Sequence, residues 1–60
     1  MTLKDLFKHF EDKTLLVDLC TPLWRHIKSI KEFESELGDK ILDMSINSWS
    51  FSNNMIYIDM

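Results

Sequence analysis

Sixty residues with a net charge of −3, 45% hydrophobic and 28% charged, describe one small folded domain and exclude a disordered chain. A single cysteine excludes an intrachain disulfide and points to a reducing compartment. The negative balance lacks the basic face that a general nucleic-acid binder needs, so nucleic acid is not an expected partner.

The chain opens on Met1 without a purification tag and reads as a complete short gene product. A chain of this length buries only about 60% of its unfolded surface, and such domains usually add a disulfide, a metal or a partner subunit. His9, Cys20 and His26 share no spacing of the C-x-x-C or H-x-x-x-H type, so neither a metal nor a cofactor is implied. Oligomerisation remains, and a homo-oligomer, most simply a two-fold dimer, is expected. No secretory signal is visible. The longest aliphatic run, Leu15-Leu16-Val17, falls far below the ~20 residues that span a bilayer. The expected location is the cytoplasm, with no membrane partner.

In chain order, residues 3–10 are expected to form a helix. Leu3, Leu6, Phe7 and Phe10 make one apolar stripe, Thr2 is an N-cap with Asp5 in the capping-box position, and Lys8 and His9 suit the C-terminal end of the dipole. Residues 14–20 read as a strand with Leu15, Val17 and Leu19 on one face and Leu16, Asp18 and Cys20 on the other. Apolar residues on both faces predict a central strand covered on both sides.

Residues 21–37 allow two readings. In one, Thr21 is N-cap, Pro22 is the first helical residue and Gly38 follows the C-terminus of one long helix. In the other, Thr21-Pro22 is a turn, Trp24 to Ile30 returns as a second strand, and a short helix runs from Lys31 to Leu37. Residues 40–59 read as a hairpin. Leu42, Met44 and Ile46 alternate, and the parity changes near Asn47-Ser48. Asn53-Asn54 makes a two-residue type I′ turn that sets Phe51 opposite Ile56 and Trp49 opposite Ile58, with Ser48, Ser50, Ser52 and Tyr57 on the other face. The whole is an α+β domain: an N-terminal helix, a small mainly antiparallel sheet of three or four strands ending in a C-terminal hairpin, and a second helix within residues 22–37.

Catalysis needs a nucleophile or acid/base group, an orienting partner and a dry pocket. His9 and His26 read as surface residues. Cys20 lacks an identifiable base and reads as a small buried side chain. Asp18, set in an apolar strand, reads as a carboxylate at the sheet edge or one paired with a helix N-terminus or a lysine, against the alternative of a perturbed site residue. One glycine rules out a glycine-rich phosphate loop, and an enzyme is not expected. The acidic run Glu32, Glu34, Glu36, Asp39 and Asp43 reads as a solvated face, or as a surface for a basic partner.

The informative surplus is aromatic. Trp49 and Phe51 are expected in the core. Trp24 with Arg25, and Met55 with Tyr57, are the expected partner-binding residues, because Trp, Tyr, Arg and Met are enriched at interfaces. Lys28 joins them on a second reading, in which Arg25, Lys28 and Trp24 hold the phosphates and base of a small signalling nucleotide between subunits. The segment Met55 to Met60 is expected to offer an exposed edge to a second copy.

The pieces Leu3-Lys4-Asp5-Leu6-Phe7-Lys8-His9-Phe10, Leu15-Leu16-Val17, Ile27-Lys28-Ser29-Ile30, Glu36-Leu37-Gly38-Asp39-Lys40-Ile41-Leu42 and Met55-Ile56-Tyr57-Ile58 give a layout of opening helix, strand, return strand, short acidic helix and final hairpin. That layout resembles short accessory proteins encoded by phages and prophages of low-GC Gram-positive bacteria. It departs from them between Thr21 and Arg25, where their glycine-containing turn is missing. The group shares no one activity. Some small phage proteins of this size bind and disable a host enzyme or an antiviral-defence complex, and by that analogy such a role is expected here. The alternatives are the homo-oligomeric nucleotide sponge and a structural or assembly module.

Overall fold

The computed structural model describes residues 1–60. Along the chain run α1 (Leu3–His9), β1 (Leu16–Cys20), β2 (Arg25–Ser29), α2 (Ile30–Glu36), α3 (Asp39–Leu42), β3 (Ser48–Ser52) and β4 (Met55–Asp59). The strands form one sheet in the order β2-β1-β4-β3, with β1 antiparallel to β2 and parallel to β4, and β3 antiparallel to β4. The fold is α+β, as its sequence pattern implies.

α1 forms where the apolar stripe predicts it. Thr2 Oγ1 accepts from the Asp5 amide at 3.1 Å, and the Asp5 carboxylate accepts from the Thr2 amide at 3.3 Å, so the capping box is complete. At the other end the Phe7 carbonyl accepts twice, from the Phe10 amide at 3.3 Å and from the Lys13 ammonium at 2.6 Å, which closes the last turn of the helix.

Residues 21–37 are a strand and a helix, not one long helix. Thr21 is a turn residue: its Oγ1 accepts from the amides of Leu23 (3.2 Å) and Trp24 (3.0 Å), and its own amide donates to the Trp24 carbonyl (2.8 Å). The chain then returns as β2, pairing five residues with β1 from Leu16↔Ser29 to Cys20↔Arg25. A long helix would leave that edge of β1 without a ladder partner. The helix starts instead at Ser29, whose hydroxyl accepts from the Glu32 amide at 3.1 Å while Glu32 reaches back to the Ser29 amide. Gly38 caps the start of α3 with φ −76, a conformation open to any residue.

The predicted alternation over Leu42, Met44 and Ile46 is not a strand. Residues 39–42 form a helical turn, and the backbone that follows is used by the N-terminus. The Leu3 amide donates to the Met44 carbonyl, the Ile46 amide donates to the Met1 carbonyl, both at 3.1 Å, and Thr2 bridges Ser45. The final hairpin follows the expected register, Trp49↔Ile58 and Phe51↔Ile56. Asn53 and Asn54 take φ of 52 and 60, the left-handed pair that a type I′ turn requires.

All of the core lies on one side of the sheet. Val17↔Ile56 and Leu19↔Ile58 are neighbouring pairs on the central strands β1 and β4, and they face Leu3, Leu6 and Phe7 of α1 and Ile30 and Phe33 of α2. Phe7 stacks on Phe33 with ring centroids 6.3 Å apart and planes 17° from parallel. At roughly 1.5–3 kcal/mol for each large apolar side chain buried, this single layer supplies most of the driving force for folding. Trp49 and Phe51 share that face but stand beyond its edge. They are exposed rather than core, and touch the helix layer through Phe10.

Candidate functional site on the open sheet face

The other face of the sheet has no covering layer, so β1 is central but covered on one side only. The strand registers lay out three rows across this face, from β2 to β3. Ser29, Leu16, Met55 and Ser52 form one row. Ile27, Asp18, Tyr57 and Ser50 form the middle row, and Arg25, Cys20, Asp59 and Ser48 the third. The four small serines all belong to β2 and β3, so the large side chains stand over the middle of the sheet. Leu16 is 45% exposed, Ile27 53% and Tyr57 37%, while Met55 is half-buried between them. An antiparallel sheet commonly turns one face to water, but it then carries polar side chains there. Here half of the middle of the open face is apolar.

The centre of the face is ionic. Arg25 reaches diagonally from its row to the middle one and grips Asp18 with both arms: Nε donates to Oδ1 at 2.9 Å and Nη2 to Oδ2 at 2.6 Å. Asp18 is only 5% exposed, the sole buried charged residue of the chain. The hydrogen bonds from Arg25, aided by its charge, hold the Asp18 carboxyl below the usual carboxylate range against the opposing effect of burial. Asp18 thus lies on a central strand and pairs with an arginine, not at the sheet edge and not with a lysine or a helix terminus. Next to it, Arg25, Tyr57, Ser50 and Asp59 border a shallow dish of about 340 Å³. Cys20 is exposed at its rim, not buried.

The expected partner-binding residues divide between the two sides of the sheet. Arg25, Met55 and Tyr57 meet on the open face. Lys28 lies on the helix side, where it is bonded to Glu36. Trp24 is half-buried in the β1–β2 turn and leans on His26, ring centroids 5.0 Å apart. It lines a separate apolar groove of about 310 Å³ with Leu23, Ile41, Met44 and Met60. Within one chain Arg25, Lys28 and Trp24 therefore do not converge on one pocket. All five residues of the acidic run are exposed; among them Glu32 is used in the α2 capping box and Glu36 holds Lys28. The expected edge at Met55 to Met60 is absent, because β4 sits inside the sheet between β1 and β3. His9 and His26 are both exposed, and no three histidine, cysteine or carboxylate side chains converge as a metal-binding group.

Leu16 and Ile27 are the site residues that sequence reasoning passed over. The capping box of Ser29 and Glu32 starts α2 after residue 29, and pairing of residues 25–29 with β1 puts Ile27 beside Asp18. No helix is long and apolar enough to cross a membrane. No protein-family model matches this chain, and no curated protein or solved structure does so either.

Proposed function

We propose that this protein acts by binding another protein through the open face of its sheet, and not by catalysis. One observation carries the reading: the whole apolar core lies on one side of a single sheet, yet Leu16, Ile27, Met55 and Tyr57 gather on the side with no layer. Large side chains around a buried carboxylate held by two hydrogen bonds from an exposed arginine have the make-up of an interface centre. The ion pair fixes the middle of the surface, and the apolar residues around it supply area to be removed from water. The only buried ionisable side chain, Asp18, is engaged in that pair, each carboxylate oxygen accepting one hydrogen bond from Arg25.

The finer role, disabling a host or antiviral-defence protein, is supported by analogy with small phage proteins and fits the small size and net charge of −3. The test is a tagged pull-down from nuclease-treated lysate of the cells that express the protein, run beside two variants. Ile27→Asp with Tyr57→Asp alters the open face, and Glu34→Lys alters the helix side. A stoichiometric protein held by the parent and by Glu34→Lys, and lost with the double variant, supports the reading. Retention by the double variant, at unchanged folding, contradicts it.

A further inference from the structure

The two edges of the sheet differ. β2 reads Arg25-His26-Ile27-Lys28-Ser29, and its two cationic side chains protect that edge from pairing with another strand. β3 reads Ser48-Trp49-Ser50-Phe51-Ser52, with no charge, no proline and every residue exposed. It lies in the longest uncharged stretch of the chain, the fifteen residues from Met44 to Ile58. An uncharged, aromatic edge strand with its large side chains partly open to water is the kind that natural sheets avoid unless something covers it.

We propose that a second copy of this chain covers it: β3 pairs antiparallel with β3 of its partner about a two-fold axis at Ser50. The strand is symmetric in kind about that residue. Pairing centred on Ser50 sets Ser50 against Ser50 of the partner subunit, and Ser48 against Ser52 of the partner subunit. On the helix side it sets Trp49 against Phe51 of the partner subunit, and the converse. A shift of one residue would bring serine opposite aromatic on both faces and lose the match. Asn47 and Asn53, the next residues out, add no charge to either end of the ladder. Each copy already joins these aromatics to Phe10, with Trp49 edge-on at 6.0 Å and Phe51 stacked at 5.8 Å, so the axis brings two aromatic trios together.

Trp49 and Phe51 are 40% and 45% exposed. At roughly 150–250 Å² for a whole aromatic side chain, they leave about 180 Å² per copy to be covered. Two copies with the paired backbone added stay below the roughly 1,200 Å² of a standard interface, so a weak, concentration-dependent dimer is expected. The dimer would carry one continuous sheet of twice the width. Its two open faces would then lie side by side as a symmetric binding platform, a consequence that rests on the proposed function whereas dimerisation itself does not.

Sedimentation equilibrium on the purified chain tests this without any partner protein. The unmodified chain is expected to pass from monomer to dimer as concentration rises. Ser50→Lys and Ser50→Glu, each exposed and each checked for native circular dichroism, put like charges at the axis and are expected to weaken the dimer at least about tenfold. Mixed in equal amounts, the two variants are expected to recover a dimer containing one chain of each. A monomer at millimolar concentration for the unmodified chain overturns the proposal. So does a dimer that neither substitution weakens, or a mixture of the two variants that stays monomeric.

Discussion

Replacing Arg25 by methionine removes the charge that grips Asp18 while keeping most of the apolar stem. Two unit charges 4 Å apart attract by about 4 kcal/mol at an effective dielectric constant of 20. The Arg25 side chain is 66% exposed, so water screens much of that attraction. Asp18 is 5% exposed in the folded chain, and without Arg25 its carboxylate loses both hydrogen bonds, a loss that costs about 1–3 kcal/mol where the methionine stem keeps water from replacing them. A net destabilisation of about 2 kcal/mol at neutral pH follows, a fall in Tm of roughly 8–16 °C for a domain of this size. The sign of the pH dependence separates this cause from lost packing. Unfolded aspartate titrates near about 3.9. With Arg25 present the folded value lies below that, so the pair stabilises the fold above this pH and the contribution disappears as pH falls through the folded value. With Arg25 gone only burial acts on Asp18, which lifts its folded value above the unfolded one. The variant then takes up a proton on folding and recovers stability as the pH falls. Thermal melts of both proteins from pH 7 down to pH 3 should show the gap narrowing in acid. An unchanged Tm at pH 7, or a gap of constant size across the range, would refute the reasoning.

Further outcomes are expected elsewhere. Phe33→Ala removes the ring stacked on Phe7 at the centre of the only core and should cost about 3–5 kcal/mol, enough to unfold so small a domain at room temperature in a denaturant titration. Ser29→Ala breaks the α2 capping box and should lower the urea midpoint by an amount equivalent to about 1 kcal/mol. Asn54→Gly, at a residue with φ 60, should raise stability by up to about 1 kcal/mol, because glycine completes the preferred type I′ pair. In native-state hydrogen exchange the amides of the central strands β1 and β4 should be the slowest to exchange, with the turn at residues 21–24 the fastest.

Those elements that announce themselves locally were legible in the sequence. α1 carries its stripe and its capping box within eight residues, and the final hairpin is fixed by two asparagines that tolerate positive φ and by the matched parity of Trp49, Phe51, Ile56 and Ile58. The middle of the chain was not legible in the same way. Thr21-Pro22 and Gly38 satisfy helix-boundary rules, but the same Thr21 hydroxyl closes a turn once β1 offers its edge to β2, and that choice is tertiary. The alternation of Leu42, Met44 and Ile46 had the period of a strand, yet the N-terminal residues take the backbone partners of this segment. The site followed the same division. Arg25, Met55 and Tyr57 were picked by residue type, whereas their meeting with Leu16 and Ile27 on one face depends on β4 running parallel to β1 inside the sheet, a long-range pairing with no local signature.

The most direct test of the open face as the binding surface is site-specific photo-cross-linking in the cells that express the protein. A photoreactive residue is placed at Ile27 on the open face in one variant and at Glu34 on the helix side in another. A discrete adduct with one other protein from position 27, and none from position 34, is the result expected. Adducts from position 34 with position 27 silent would place the interface on the helix layer and contradict the proposal.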